Sequence, residues 1–264
     1  MRVFVAGATG VIGQYLVPAL VAAGHEVTGT TRSTAKAAVL QAAGATPVIA
    51  DGLEAAREAG TRRFIAQSFT GWNNARTGGP VKTEQDPLDP DPVPATRQSM
   101  AAIRHVEETV PGAVPEGLVL RYGSFYGHGS SQTMLDVVRK RQMPVIGRGT
   151  GIWSFCEITD AAAATAAAVT RGAPGIYNIV DDDPAPVREW LPYLAECLGA
   201  RAPMRAPAWL GRLLAGQLVV SLMTRARGSV NEKAKRELGW APQYASWRDG
   251  FPDWVKTAGQ GRAA

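Results

Sequence analysis

Cysteine is nearly missing from this chain. Only Cys156 and Cys197 occur in 264 residues, far apart and without metal-type spacing, which argues for reduced thiols and against a disulfide, a zinc site or redox cysteine chemistry. Long apolar runs are missing as well. The most apolar stretch, "WLGRLLAGQLVVSLM", is interrupted by Arg212 and Gln217 and falls short of the roughly 20 residues that a membrane span needs. The first residues pass straight into a strand-like run, with no basic segment, apolar segment and small-residue cleavage site in succession, so a soluble cytoplasmic protein with no membrane partner is expected. Aromatic-basic motifs of nucleic-acid binders, internal repeats and low-complexity tracts are also lacking. The net charge of +5 is spread over Arg62 and Arg63, Arg139 to Arg141 and Lys233 to Arg236, as expected for solvated helix faces rather than a nucleic-acid surface.

What is present is hydrophobic periodicity: 45% hydrophobic against 19% charged residues, enough to bury a full core. "RVFVAG" reads as a strand, "VIGQYLVPALVAAGH" as a helix closed by Gly24, and "HEVTGTT" as a second strand. A helix from Ser33 to Ala43 and the strand "TPVIA" follow. Two successive β-α-β units imply a parallel sheet with helices on both faces. "RRFIAQS", "GLVLRYG" and "GIYNIV" read as further strands, with a helix over 96–110 and an alanine-rich helix capped by Asp160. The predicted division is a Rossmann-like dinucleotide-binding domain over 1–180 and a small C-terminal substrate lobe over 181–264, marked by Trp190, Trp209, Trp240, Trp247 and Trp254.

Gly7, Gly10 and Gly13 form G-x-x-G-x-x-G between a strand and a helix. The first glycine permits the tight turn, the second lets backbone approach a pyrophosphate and the third allows close helix packing, while the helix N-terminus offers free N–H groups. Thr9, Val11 and Ile12 complete this loop. At the end of the second strand, where an acid would bind the hydroxyls of an adenosine ribose, the chain has Thr31, Arg32 and Ser33, with Lys36 one turn on. A carboxylate would repel a 2′-phosphate and a guanidinium binds it, so NADP is expected over NAD.

These motifs resemble the extended short-chain dehydrogenase/reductase superfamily, specifically its NAD-dependent epimerase/dehydratase family. "GATGVIG" is similar to the cofactor loop, and "ADGL" to the segment that meets the adenine, placing Asp51, Gly52 and Leu53 there. "LRYGSFYGHG", "FCEITDAAAAT", "GIYNIVDDDPAPVREW" and "AKRELGWAP" resemble later family segments in the family order. The resemblance implies redox or epimerase chemistry on a small polar or nucleotide-linked substrate; a homodimer is the partner assembly to test. In that family a tyrosine and lysine of Y-x-x-x-K move the proton and hold the ribose. "PATRQSMAAIRHVEE" puts Thr96 and Met100 at those positions, which supply no acid of suitable pKa. Thr70, Tyr122 and Tyr126 are the candidate catalytic replacements, Tyr122 also being a candidate cofactor contact. The other reading of this loss is a non-catalytic NADP-binding sensor or partner-binding protein.

A second departure is length. The family has a strand, a loop and a long helix between the third strand and the one corresponding to "RRFIAQS"; here only "DGLEAAREAGT" intervenes. One βα unit is missing. A link of Asp51 to Arg62 is about the least a parallel crossover can use, so "RRFIAQS" is expected to close up beside "RVFVAG" rather than leave an empty strand position.

Overall fold

The computed structural model describes residues 1–30, 34–48 and 61–260. Its first layer is a parallel ladder of β1 (Arg2–Val5), β2 (Glu26–Thr30) and β3 (Thr46–Val48) in spatial order β1-β2-β3. Register pairs Arg2 with Glu26 and Thr28 with Thr46. Helices α1 (Gly13–Ala22) and α2 (Thr34–Ala42) connect these strands. Leu16, Val17 and Leu20 of α1 and Leu40 of α2 pack with Val5 and Val27 in one buried cluster.

A second parallel ladder contains β4 (Arg63–Phe69) and β5 (Glu116–Tyr122), paired from Arg63–Glu116 through Phe69–Tyr122. Short β6 (Ser124–Tyr126) follows β5 and pairs in parallel with β7 (Phe155–Glu157). Then β8 (Gly175–Ile179) joins the other edge of β5, giving the order β8-β5-β4. Helix α3 (Arg97–Ala113) covers one face of this ladder and α5 (Ile158–Thr170) the other; between them in sequence lies α4 (Gln132–Arg139). Covered on both sides, β5 is buried from Gly117 to Tyr122, as expected of a central parallel strand.

The α/β, Rossmann-like class read from the sequence is the one observed, but the expected closure of the sheet is not. Among the described residues β4 bonds to β5, and β1 bonds to β2, without a ladder between β1 and β4. The reach of the link and the cost of unpaired strand edges favour closure. Packing sets the spacing instead: Val3 and Ile65, from the two ladders, both rest on the cluster that includes Ala162, Ala166 and Val169 of α5. The first ladder is covered mainly on this one face, and Phe4, pointing the other way, is 43% exposed.

The helix expected to be capped by Asp160 starts earlier. Glu157 is its N-cap, its carboxylate accepting from the backbone N–H groups of Thr159 (2.5 Å) and Asp160 (3.3 Å). Asp160, in the first turn, instead accepts from the N–H groups of Gln243 and Tyr244 and ties the C-terminal segment to α5. That segment contains α6 (Val187–Cys197), α7 (Ala208–Thr224), α8 (Glu232–Leu238) and α9 (Trp247–Gln260). Trp190, Trp247, Phe251 and Trp254 form an aromatic core that also draws in Tyr126, Leu135, Ile146 and Phe155. Trp240 belongs to the sheet's own core.

The second ladder is pinned by a buried ion pair. Arg121 on β5 donates two hydrogen bonds to Glu107 on α3 (2.8 and 2.6 Å), and Ser68 on β4 donates a third to the same carboxylate (2.8 Å). Removing one partner strands the other charge away from water, so Glu107→Ala should cost about 3 to 5 kcal/mol. Urea unfolding should show that loss, whereas Glu116→Ala, which leaves Arg62 in solvent and Arg63 still bonded to the Ala168 and Gly172 carbonyls, should lower the midpoint by much less.

Candidate cofactor site

The glycine loop is a tight turn at the end of β1. Gly7 has φ +72°, in the left-handed region, and its N–H donates to the Thr30 hydroxyl at the end of β2 (3.1 Å). Gly10 N–H returns to Gly7 O at 2.8 Å. At Gly13 the helix presses on the turn: a Cβ there would lie 2.3 Å from the Ala8 carbonyl oxygen, so only glycine fits. Helix α1 begins with no acidic residue in its first turn, leaving its N-terminal dipole free to attract an anion. Gly7, Gly10 and Val11 are exposed, and Thr9 and Ile12 partly so, hence the rim of the loop is accessible. These features fit a dinucleotide pyrophosphate.

Thr9 and Lys36, both named from the sequence, line one cavity of about 190 Å³ between α1 and α2, together with Gly13 and Gln14. Thr31, Arg32, Ser33, Asp51, Gly52 and Leu53 lie outside the described residues. Sequence reasoning missed Thr30, which braces the turn, and Gln14, which lines the cavity. A hydroxyl residue at the end of a strand was the available signal for the first; for the second there was none, because Gln14 is brought into place by the approach of α2.

The proposed catalytic side chains do not converge. Tyr122 is buried, its hydroxyl 2.6 Å from Thr165 Oγ1 on α5. Thr165 itself donates to Ala161 O (2.7 Å), so the phenol proton is committed to Thr165. Tyr126 lies in the aromatic core, edge-on to Phe251, its hydroxyl without a partner among the described residues. Burial raises both phenols far above their ordinary value, the Asp181 charge adding to the effect at Tyr126. Thr70 is buried and binds Ser229 Oγ (2.5 Å) and Asn74 Oδ1 (3.3 Å), joining the end of β4 to the C-terminal segment. Thr96 and Met100 are buried at the start of α3, and Thr96 donates to Val93 O (2.9 Å). Beside Thr96, Trp72 with Leu218 and Leu222 of α7 leaves a cavity of about 10 Å³, room for about one water. His105 and His128 are exposed.

The sequence pattern of the NAD dependent epimerase/dehydratase family matches residues 3–52, the stretch that contains this loop. A Streptomyces protein named 3-diazoavenalumate denitrifying reductase is 37% identical over 303 aligned positions, covering 95% of this chain and 99% of that protein. The chain belongs to the NAD dependent epimerase/dehydratase family. As a member it is also short: the alignment runs over 303 positions although the chain has 264 residues, in keeping with an internal loss. Two solved structures share the family member's fold at low identity. A human epimerase family protein solved with NADPH superposes with TM-score 0.73 and 20% identity, over 97% of this chain and 99% of that one. MoeE5, solved with UDP-glucuronic acid and NAD, gives TM-score 0.73 and 19% identity over 99% and 100% of the two chains.

The buried phenols have a consequence for stability. Because their folded-state pKa values are raised, the folded protein retains protons that the unfolded chain releases. Their contribution is full below the ordinary phenol value of about 10 and is lost as pH rises beyond it. Urea unfolding should therefore show stability falling steeply above about pH 10, and Tyr126→Phe, which removes a buried hydroxyl without a partner, should flatten that fall while costing little at neutral pH.

Proposed function

We propose that this protein is an NADPH-dependent reductase whose acceptor takes hydride without a proton from the enzyme, an aromatic diazo compound in its diazonium form being the first class to test. The observation that carries this reading is the state of the tyrosine position: Thr96 is buried, hydrogen-bonded to Val93 O and backed by an apolar Met100. Tyr122, Tyr126 and Thr70 are likewise committed to neighbours or to the core, so none is poised as a general acid. The name of the Streptomyces relative, a denitrifying reductase of a diazo compound, supports the same chemistry. The nucleotide-linked substrate expected from the sequence ranks second, since the structures solved with nucleotide sugars share the fold alone.

In this reading the N–H groups at the start of α1, together with those of the loop other than Gly7 and Gly10, which are already bonded within the turn, bind the pyrophosphate, with Thr9, Val11 and Ile12 along it. Arg32 and Lys36, helped by Thr31 and Ser33, bind the 2′-phosphate, and Asp51, Gly52 and Leu53 flank the adenine. A bound nicotinamide dinucleotide supplies the hydride. Replacing a diazonium group by hydride needs no proton, because Ar–N2⁺ and H⁻ give Ar–H and N2. A ketone would leave an alkoxide, which Tyr122, Tyr126, Thr70 and Thr96, committed to their neighbours or to the core, do not stand ready to protonate.

Two measurements test this. NADPH should bind about ten to a hundred times more tightly than NADH at low salt, and Arg32→Ala should remove most of the difference while leaving NADH binding nearly unchanged. Equal affinities in the unmodified protein would refute the assignment of Arg32. With an arenediazonium salt and deuterium-labelled NADPH, the arene should acquire one deuterium as N2 is released, at rates that survive Tyr122→Phe and Tyr126→Phe, while simple ketones are not reduced. NADPH binding without any transfer would instead support the non-catalytic sensor.

A further inference from the structure

Between Glu196 and Glu232 the chain has no acidic residue but five arginines: Arg201, Arg205, Arg212, Arg225 and Arg227. This stretch carries α7, whose two halves meet at Gly216, a residue with non-helical φ/ψ of 83° and 170°. The second half packs inward through Val219, Val220 and Met223. The first half is oriented the other way round from an ordinary surface helix. Its buried residue is Gly211, seated on Ile146, while Trp209, Leu213 and Leu214 are 70%, 76% and 76% exposed. Trp209 and Leu213, four residues apart, share the face opposite Gly211. Met204, 51% exposed, lies just ahead of the helix. Arg201, Arg205 and Arg212 are exposed and make no ion pair among the described residues.

We infer that this half-helix docks on an anionic lipid surface. Exposed Trp and Leu flanked by arginines, in a stretch of chain without a carboxylate, have the chemistry of a helix lying in the membrane interface, the rings and aliphatic chains entering the acyl boundary and the guanidiniums reaching the headgroups. A symmetric contact with a second copy would bring the same three arginines together, so like charge opposes it. Among the described residues no helix is long and apolar enough to cross a bilayer. The attachment is peripheral and reversible, and independent of the reductase reading.

The test is co-sedimentation of the full chain with vesicles of phosphatidylcholine alone and of phosphatidylcholine with about 30% phosphatidylserine. The protein should pellet with the anionic vesicles at least about ten-fold more strongly than with the neutral ones, and high salt should release it. Trp209→Ser with Leu213→Ser should abolish binding, and these exposed positions leave the fold intact, checked by an unchanged urea midpoint. Arg205→Glu with Arg212→Glu should do the same, whereas Arg2→Glu with Lys256→Glu, an equal change of net charge at exposed residues outside this stretch, should bind as before. Three results would overturn the assignment: no pelleting with anionic vesicles, equal loss in the Arg2 and Lys256 variant, or self-association in sedimentation velocity that disappears with Trp209→Ser and Leu213→Ser.

Discussion

Helix α5 holds two incomplete sheets as one body. Without a hydrogen-bonded ladder between β1 and β4, the halves are joined by side-chain packing, and α5 supplies it from two of its faces. Ala161, Ala164 and Ala168 sit against Leu118, Leu120 and Tyr177 of the second ladder, while Ala162 and Val169 sit with Val5 of the first ladder and with Val17 and Leu20 of α1, which covers it. Alanine suits this place, since a side chain no larger than a methyl lets the helix axis approach both layers, and a long side chain would push one of them away. Glu157 caps the start of the helix, and Asp160 anchors the C-terminal segment to its first turn.

The site inherits its form from this arrangement. The glycine turn sits between β1 and α1, and α1 packs on α5, so the turn is held from behind by the helix that also receives the Tyr122 hydroxyl through Thr165. A tyrosine used in this way is a core side chain with a satisfied hydrogen bond, and its raised pKa is a consequence of that burial. The start of α3 shows a parallel economy. A lysine at position 100 would need a partner for its charge in the core; Met100 fills the space without one. The chain thus keeps the framework of its family, and at the start of α3 Thr96 and Met100 serve the packing.

Much of this was legible in the residues. The G-x-x-G-x-x-G spacing, the β-α-β alternation and the order of the later motifs all report local geometry: turns that need glycine, faces with helical or strand period, and strand ends that open into loops. Those signals gave the fold class and the tight glycine turn after β1, and they put Thr96 and Met100 where the resemblance implies a tyrosine and a lysine. They misled where a long-range contact competed with a local rule. Asp160 has the residue type of a helix cap, yet Glu157 three residues earlier takes that role because Asp160 is claimed by the backbone at Gln243 and Tyr244. The short link before β4 argued for a closed sheet, and the packing of α5 on both layers overrode it.

By itself, then, the sequence determined the parallel α/β architecture and the glycine turn, because each follows from residue type and spacing within a few turns of chain. Only the tertiary structure decided that the two ladders stay unpaired, that Tyr122 and Tyr126 belong to the core, and that the first half of α7 turns Trp209 and Leu213 outward. Those outcomes depend on which surfaces meet across more than a hundred residues. Burial of a phenol, or exposure of an indole, is a property of that meeting and leaves no local periodicity to read.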